Sequence, residues 1–339
     1  MIRRFVGQEL PAKARIGVIS NDAIGNFVIA TPLLQMLRAK YPHATLDYFA
    51  GNRVSELAHA SDLFDSWYPL HGAHPTDTVR ILSDRSGAYE LVVNLESTMA
   101  AKFATAALVG RHGFAAGPCL DGEARKDLPH ADDPRGDLWR DMEWISPTLT
   151  QKYPFLSSGF IAEIFCRLAY LEGTVPAYRV PSDDPGRAVP DVLIATSASL
   201  PEKLWPAEKW SEALSALKHE GVSVGLLGAP PSSQSKYWQG NDLETQLVAD
   251  ELVEDLRGKL TMPQVVGALA VARAVLTLDN GILHLAAATG TPTVGLFRYG
   301  IHRLWAPPVP SLTVLHPAEN ESVGEIPVDA TMQALKSCL

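Results

Sequence analysis

The chain has 339 residues, which is long enough for about two domains, and its hydrophobic fraction of 46% is sufficient for sizeable cores. Acidic residues number 38 against 29 lysines and arginines, so the formal net charge is −9, which argues against nucleic acid or an anionic membrane as the main partner. The widely spaced Cys119, Cys166 and Cys338 lack metal-ligand spacing and indicate free thiols in a reducing compartment. Because no apolar run reaches bilayer-spanning length, we expect a cytoplasmic protein with at most a peripheral contact at the inner face of the membrane.

The first part of the chain alternates between short apolar runs and amphipathic segments. Strands are predicted at 15–20, 45–50, 66–70 and 91–95, and helices at 29–41, 54–60 and 77–86. The start of the first helix stays open: Thr31 can cap a helix with Pro32 at its first position, or Pro32 can kink a helix that begins near Gly25. The alternation predicts a parallel sheet with helices on both faces.

Two stretches interrupt this alternation. Residues 110–140 are rich in Gly, Pro, Asp and Arg and predict a long loop over one face of the sheet. A helix is predicted at 158–172, and residues 175–190, which contain four prolines, predict an exposed linker. The linker divides the chain into predicted domains 1–180 and 181–339, and we expect the last helix to pack back on the first domain.

After the linker the alternation resumes. Strands are predicted at 191–195, 222–227, 252–256, 274–278, 293–297 and 312–315, and helices at 206–219, at 232–250 in broken form, at 263–272, from 281 onward and at 328–339. Two similar α/β halves imply a cleft, and ligands in such sheets bind beyond the carboxyl ends of the strands. The loops predicted to line the cleft are 20–26, 196–203, 228–234 and 279–284.

The stretch from Asp279 to His284 lies between an apolar strand and a helix of small residues. Gly281 permits close approach of a ligand to the backbone, and the unpaired N–H groups at the start of the helix lie at the positive end of its dipole. These features predict an anion site, with a nucleotide diphosphate as the expected occupant.

Four segments carry a resemblance to a known family. They are NDAIGN at 21–26 with TPLL at 31–34, TS at 196–197 with KLWP at 203–206, LRGKLT at 256–261, and DNGILHLAAATGTPTVGLF at 279–297. Together and in this order they resemble the heptosyltransferase-like enzymes of glycosyltransferase family 9. The resemblance implies a GT-B type α/β fold, in which two Rossmann-like domains have parallel sheets that face each other across a cleft. The N-terminal domain would bind the acceptor and the C-terminal domain the nucleotide sugar.

The resemblance also implies roles on the donor side. The backbone N–H groups of Asn280, Gly281 and Ile282 would bind the diphosphate, and Lys203 would stabilise the departing nucleotide diphosphate. Asp279 would contact the donor sugar or orient Lys203. The remaining implied contacts are the hydroxyls of Thr196 and Ser197 at a phosphate, His284 about one helical turn from the phosphate, and the backbone of Lys259, Leu260 and Thr261 at the base. No cofactor and no metal site is predicted, because the nucleotide sugar is a co-substrate and Lys203 supplies positive charge.

Two positions depart from the family. Its catalytic base, an Asp directly after the glycine of the N-terminal loop, is replaced by Asn26, and an amide cannot accept a proton at neutral pH. Asp22 in the same loop is the nearest substitute for the base, with a turn or helix-cap role as the alternative. A Glu that commonly follows the glycine equivalent to Gly228 is also absent, since the chain continues Ala-Pro-Pro-Ser-Ser-Gln.

The predicted function is inverting, metal-independent transfer of a heptose or related sugar from a nucleotide-sugar donor, with ADP as the expected nucleotide. The acceptor is a glycan, glycolipid, protein or small molecule, and the absence of a dense cationic run in the first half favours a less anionic one. Two alternatives stay open. One is a non-catalytic relative that binds a nucleotide sugar or glycan and has lost the base, and the other is a nucleotide-sugar epimerase or hydrolase on the same fold.

Simpler roles compete with the functional ones at three positions. His284 faces Leu and Ala and can be a half-buried core histidine. Asp279, at the end of a strand, can cap the following helix. Trp205 is interpreted as a packing residue, whereas Lys203 beside it is interpreted as functional.

Overall fold

The computed structural model describes residues 2–72, 74–123, 125–141, 143–231 and 241–339. The chain folds into two compact units, Met1–Arg179 and Val180–Leu339, and the boundary falls inside the proline-rich segment 175–190. Each unit contains a six-stranded sheet, and all the strand pairs described in them are parallel. The predicted α/β class is therefore confirmed.

The first unit follows the predicted alternation closely. Its strands are Arg3–Arg4 (β1), Arg15–Ile19 (β2), Thr45–Gly51 (β3), Ser66–His71 (β4), Tyr89–Asn94 (β5) and Val109–Ala116 (β6). Its helices are Ile24–Lys40 (α1), Ser55–Ala60 (α2), Pro75–Asp84 (α3), Met99–Leu108 (α4), Pro134–Asp141 (α5), Leu149–Lys152 (α6) and Ile161–Leu168 (α7). The strand order is β1-β6-β5-β2-β3-β4, so β2 and β5 lie at the centre of the sheet.

Helix α1 begins at Ile24 and contains Pro32, so the second of the two predicted starts is the observed one. A proline has no N–H to donate to the carbonyl four residues earlier, which here belongs to Val28. The Thr31 hydroxyl donates to that carbonyl oxygen at 2.7 Å instead. The buried helix therefore continues through Pro32 without leaving this acceptor unsatisfied.

The predicted loop at 110–140 is wrong in its first part, because strand β6 occupies it and pairs with β5. Glycines obscured this strand, since glycine in a strand interior is normally unfavourable. Here Gly113 is needed, because a Cβ at this position would stand 2.6 Å from the carbonyl oxygen of Tyr89. The register between β5 and β6 shifts beside Tyr89, which is a local bulge that the glycine accommodates. The later part of the segment includes α5, which was also not predicted.

The second unit contains a sheet of similar size. Its strands are Val192–Ala195 (β7), Val224–Leu226 (β8), Glu254–Asp255 (β9), Ala274–Leu278 (β10), Thr293–Leu296 (β11) and Leu312–Leu315 (β12). The helices described in it are Ala207–His219 (α8), Asn241–Ala249 (α9), Met262–Val271 (α10), Gly281–Thr289 (α11), His302–Trp305 (α12) and Val328–Lys336 (α13). The strand order is β12-β11-β10-β7-β8-β9, which places β10 and β7 at the centre.

Some predicted helices have different limits in the structure. Helix α7 is shorter than the predicted 158–172, and Tyr170 just after it adopts a left-handed φ of 58° that ends the helical path. The predicted broken helix at 232–250 is described only from Asn241 onward, because residues 232–240 lie outside the described residues. Helix α13 packs against α8, β10 and β11 of its own unit, and its predicted packing on the first domain stays a prediction.

Two tryptophans organise the core of the second unit. Trp205 and Trp210 are each at most 1% exposed and meet edge to face with ring centroids 5.1 Å apart. The indole N–H of Trp205 donates to the carbonyl oxygen of Ile326 at 3.0 Å, which satisfies its polar atom inside the core. Trp205 therefore has the packing role interpreted from the sequence. Among the described helices, none has the length and apolarity needed to cross a bilayer.

Candidate functional site

The centre of the second sheet brings together two segments that are far apart in the chain. Strands β7 and β10 are paired, with Ala195 opposite Thr277, and both run in the same direction. Their carboxyl ends are followed by Thr196-Ser197 and by Asp279-Asn280, respectively. The edge of the sheet therefore places side by side two of the segments predicted to contact phosphate.

Asn280 is the N-cap of helix α11. Its side-chain oxygen accepts hydrogen bonds from the N–H groups of Ile282 at 3.0 Å and Leu283 at 3.4 Å, and from the Thr277 hydroxyl at 3.2 Å. Its amide nitrogen donates to the carbonyl oxygen of Ser197 at 3.1 Å. One side chain thus completes the start of the helix and holds it against the end of β7.

This cap changes which backbone groups can reach a ligand. The Ile282 N–H, which the family resemblance assigns to the diphosphate, already donates to Asn280. Within the described residues, the N–H groups of Asn280 and Gly281 donate to no protein acceptor. The open donors at the positive end of the helix dipole are therefore those two.

Lys203 and Asp279 form an ion pair beside this helix start. Lys203 ends the short 3-10 turn Pro201–Lys203, and its Nζ lies 2.8 Å from Oδ2 of Asp279 and 3.3 Å from the backbone oxygen of the same residue. The two side chains are 16% and 8% exposed, so solvent screens the pair only weakly. An ammonium group has three N–H donors, and Asp279 takes two of them. Asp279 therefore orients Lys203, while Asn280 is the residue that caps the helix.

His284 lies one helical turn further along α11 and is only 3% exposed. Burial, with a smaller contribution from the positive charge of Lys203, lowers its pKa to about 4 against the opposing effect of Asp279. The imidazole is consequently neutral at neutral pH. The positively charged side chain beside the turn 279–284 is thus Lys203. His284 is more deeply buried than the half-buried histidine considered from the sequence.

The hydroxyl of Thr196 is committed to a buried polar network. It donates to Oε1 of Glu244 at 3.1 Å, and Oε2 of Glu244 lies 3.4 Å from Nη1 of Arg257. All three residues are at most 6% exposed. Arg257 in turn bonds Asp255 through its Nε at 2.8 Å. In this arrangement the Thr196 hydroxyl is taken by Glu244, and its neighbour Ser197, 9% exposed, has its carbonyl oxygen bound by Asn280.

The segment predicted to meet the base is a structured turn before α10. Thr261 caps that helix, and it and Gln264 form a reciprocal capping box, with the Thr261 N–H 3.0 Å from Oε1 of Gln264. The Lys259 N–H donates to the carbonyl oxygen of Leu256 at 3.1 Å. Of the three predicted positions, only Leu260 has an N–H that finds no acceptor in the part of the chain that the structure describes.

The N-terminal loop residues lie in the first unit. Asp22 follows β2, is 33% exposed at its side chain, and has Oδ1 3.9 Å from Nη1 of Arg53. Asn26 lies in the first turn of α1. Gly51 lets the Asp22 loop approach, because a Cβ at position 51 would stand 1.9 Å from the Cβ of Asp22.

Glu96, which the sequence reasoning did not select, lies beside this loop. It follows β5, its Oε1 accepts a hydrogen bond from Nδ2 of Asn21 at 2.9 Å, and its N–H donates to Oδ1 of Asn94 at 2.9 Å. Burial raises the pKa of Glu96 to about 7, the nearby charge of Asp22 adds to this rise, and the hydrogen bonds from Asn21 oppose it. A carboxylate directly after a predicted buried strand was the sequence signal that could have identified it.

Comparison with known proteins matches the site to one family. The model of glycosyltransferase family 9 (heptosyltransferase) matches residues 176–325. Lipopolysaccharide heptosyltransferase 2 of Salmonella typhimurium is 22% identical, and the match covers 84% of this chain and 82% of the relative. The chain is thus similar to glycosyltransferase family 9 (heptosyltransferase) over residues 176–325 and to a lipopolysaccharide heptosyltransferase over most of its length.

Solved structures agree with the fold of this family. A glycosyltransferase of family 9 from Veillonella parvula superimposes with a TM-score of 0.73 at 16% identity over 98% of both chains. The ADP-heptose lps heptosyltransferase II of E. coli superimposes with a TM-score of 0.68 at 18% identity over 96% of this chain and 98% of the other. The predicted GT-B type of α/β fold is confirmed.

The region that matches the family 9 model, residues 176–325, contains every residue that was predicted to contact the donor. The structure brings Lys203, Asp279, Asn280 and Ser197 into hydrogen-bond contact, whereas the N–H groups of Ile282, Lys259 and Thr261 and the hydroxyl of Thr196 have internal acceptors. Glu244, Arg257 and Glu96 are polar residues of this chain that the motifs did not identify.

Proposed function

We propose that this glycosyltransferase moves a heptose from ADP-heptose to an acceptor of the lipopolysaccharide type. The observation that carries the proposal is the Lys203–Asp279 pair, with 2.8 Å between Nζ and Oδ2, next to the open N–H groups at the start of α11. The names of the relatives support the choice of donor and acceptor, since they are lipopolysaccharide heptosyltransferases and one is named for ADP-heptose. Inversion of the anomeric centre and independence of metal ions are parts of the same proposal.

The donor diphosphate is proposed to lie against the start of α11. Its oxygens accept hydrogen bonds from the N–H groups of Asn280 and Gly281, where the helix dipole favours negative charge. Lys203 directs its remaining N–H to the bridging side of the diphosphate and stabilises the charge that grows there as the sugar departs. His284 is neutral, so Lys203 carries this electrostatic role.

The first unit is proposed to bind the acceptor. The acceptor hydroxyl loses a proton as it attacks the anomeric carbon, and Asn26 cannot take that proton. A carboxylate near the loop after β2 is therefore required, and Asp22 is the candidate that the sequence supplied. The acceptor-binding role rests on the family resemblance.

Donor binding is tested first by thermal unfolding with ADP, ADP-heptose, UDP and GDP. A ligand that binds the folded state raises the apparent stability by mass action, so the ADP compounds are expected to raise Tm while UDP and GDP do not. Lys203→Ala should lose most of the shift with ADP, and the exposed Lys126→Ala serves as its matched control. The absence of any shift with ADP compounds would contradict the donor assignment.

Transfer is then measured with ADP-heptose and lipopolysaccharides truncated at successive core sugars, each with and without core phosphates. We expect transfer to one truncated core in the presence of EDTA, with an anomeric configuration opposite to that of the donor. A preference for the dephosphorylated core would support the less anionic acceptor predicted from the sequence. Donor binding without transfer to any core would favour the non-catalytic relative, and free or isomerised heptose formed without an acceptor would favour the hydrolase or epimerase.

A further inference from the structure

The carboxyl edge of the first sheet gathers polar side chains from four strands. Asp22 with its neighbour Asn21 follows β2, Arg53 follows β3, His71 ends β4 and Glu96 follows β5. Because ligands of parallel α/β sheets bind at this edge, side chains that converge there are candidates for contact with the acceptor. The convergence includes acidic, basic and neutral groups, and it lies in the unit that is proposed to bind the acceptor.

Glu96 is held in a defined position at this edge. Nδ2 of Asn21 donates to Oε1 of Glu96 at 2.9 Å, and the backbone N–H of Glu96 donates to Oδ1 of Asn94 at 2.9 Å. Both the carboxylate and the backbone of Glu96 are therefore fixed. The same Asn21 side chain accepts the Ala23 N–H at 2.8 Å, which ties Glu96 to the start of α1. Glu96 is partly exposed, so a ligand can reach it.

The groups that face Glu96 keep it basic near neutral pH. Burial, with a smaller contribution from the negative charge of Asp22, raises the pKa of Glu96 to about 7, and none of the groups that set this pKa is cationic. Arg53 instead faces Asp22, at 3.9 Å. Burial lowers the pKa of His71, against the effect of Asp22, so its imidazole is neutral at neutral pH. Burial also raises the pKa of the Tyr48 phenol far above neutrality, so Tyr48 stays protonated.

His71 also offers an unused polar atom in this cluster. Its Nε2 is buried and has no hydrogen-bond partner within the described residues. A buried polar atom without a partner is unfavourable unless a ligand or water satisfies it. The edge that holds Glu96 therefore also has unused hydrogen-bonding capacity for a hydroxylated ligand.

We propose that Glu96 is the catalytic base that replaces the family's missing Asp, and that its neighbour Asp22 does not itself take the proton. This inference rests on the proposed transfer reaction. As the acceptor oxygen forms its bond to the anomeric carbon, its proton passes to a carboxylate oxygen of Glu96. The bond between the anomeric carbon and the diphosphate oxygen breaks at the same time, and its electron pair leaves with ADP. Asp22 is less suited to the role because its Oδ1 already faces the Arg53 guanidinium, at 3.9 Å.

The experiment compares Glu96→Gln, Glu96→Asp and Asp22→Asn with the wild-type chain in the transfer assay. Glu96→Gln is isosteric and is expected to lower kcat by roughly 100-fold or more, which is the usual contribution of a general base. Glu96→Asp keeps a carboxylate and should restore part of this loss. Glu123→Gln, whose side chain is 73% exposed, is the matched control and should behave as wild type. Tm and the ADP-induced shift of Tm are expected to be unchanged in all four variants.

The pH profile separates a base from a structural residue. In the wild type, kcat is expected to rise with pH through an acid limb near pH 7, because Glu96 must be deprotonated to act. Asp22→Asn removes a negative charge that raises the pKa of Glu96, so its acid limb should move to lower pH. A wild-type profile without this limb, or a limb that Asp22→Asn leaves in place, would overturn the inference.

The assay also separates this inference from the proposed function. If the wild-type chain transfers heptose and Glu96→Gln retains that activity, the inference is wrong and the proposed function stands. If Asp22→Asn abolishes transfer and Glu96→Gln does not, the base is Asp22. If the wild type transfers to none of the acceptors, the proposed function fails, and the assignment of Glu96 fails with it.

Discussion

The donor turn at Asp279–His284 and the cluster around Glu96 occupy equivalent places in their sheets, but they are assembled differently. In the donor turn, the cap, the open N–H groups, one partner of the ion pair and the neutral histidine come from six consecutive residues. Around Glu96, each strand end contributes one or two residues, and the members span from Asn21 to Glu96. A contiguous site is readable as a motif, whereas a site assembled from several strand ends becomes visible only when the sheet is in place.

The largest effect on stability and transfer is expected from Lys203, which lies outside the donor turn and pairs with Asp279 in it. Lys203→Ala leaves the buried Asp279 without its cation, and we expect a loss of stability of about 3 kcal/mol and a fall in transfer of roughly 100-fold or more. The double variant Lys203→Ala/Asp279→Asn removes both charges, so it should recover part of the stability and none of the transfer. Urea unfolding and initial rates measure the two quantities. Transfer that returned in the double variant would mean that Lys203 acts only by neutralising Asp279.

The Glu96 cluster can be disturbed through its backbone. Gly51→Ala places a Cβ 1.9 Å from the Cβ of Asp22, so the loop must move, and a destabilisation of roughly 1–3 kcal/mol is expected. Because Asp22 then shifts relative to Glu96, the acid limb of the pH–rate profile should also shift. Gly122→Ala is a suitable control, since an added Cβ there meets no heavy atom within 4 Å. If Gly51→Ala and Gly122→Ala had the same stability and the same acid limb, the Asp22 loop would tolerate displacement.

The buried His284 predicts how the free energy of unfolding of the protein depends on pH. The pKa of His284 is about 4 in the folded protein and ordinarily 6.5, so between these values the unfolded chain binds a proton that the folded chain does not. The stability from the neutral imidazole is fully present above pH 6.5 and is lost as the pH falls through 4, by about 2 kcal/mol at pH 5 relative to pH 8.

His284→Gln removes this titration, so its destabilisation relative to the wild type should be about 2 kcal/mol smaller at pH 5 than at pH 8. Urea unfolding at several pH values measures the difference. The exposed His43→Gln is the control and should follow the wild-type curve. A difference between His284→Gln and wild type that is constant with pH would contradict the burial of a neutral imidazole.

The smallest expected effect concerns two helix caps, one in each unit. Asn280→Ala removes the cap of α11 and its bond to Ser197, and Thr98→Ala removes the cap of α4, where the Thr98 side chain accepts the Ala101 N–H at 3.2 Å. Each should lose about 1 kcal/mol of stability. Only Asn280→Ala should also weaken ADP binding, measured by calorimetry, because the backbone N–H groups of residues 280 and 281 are then no longer held in position by the cap. Weakened ADP binding in Thr98→Ala would indicate a general effect of stability.

The alternation of strands and helices was predictable because apolar periodicity and breakers act over short distances. Strands β10 and β12 have the predicted limits, and the predicted start of a helix at Gly281 is observed. Strand β6 was missed because local propensity argues against Gly113 in a strand. The glycine is required there by the carbonyl oxygen of Tyr89 in the neighbouring strand, which leaves no room for a Cβ. Glu244, which accepts the hydrogen bond from the Thr196 hydroxyl, also lies outside the motifs. Whether an O–H or N–H group is free to bind a ligand depends on tertiary partners such as Glu244, which lies 48 residues from Thr196 in the chain.

The Thr31 hydroxyl that satisfies the carbonyl below Pro32 has a second bond with a mechanical consequence. It accepts the N–H of Arg179 at 3.2 Å, so the last residue of the first unit is clamped to α1. On the other side of the boundary, the Asp183 N–H is clamped to the carbonyl oxygen of Pro263 at 3.0 Å. Between these clamps lie only residues 180–182. The proline-rich segment 175–190, which was predicted as an exposed linker, is therefore fixed by hydrogen bonds on both sides of the boundary, and Thr31→Val would remove the first of these bonds.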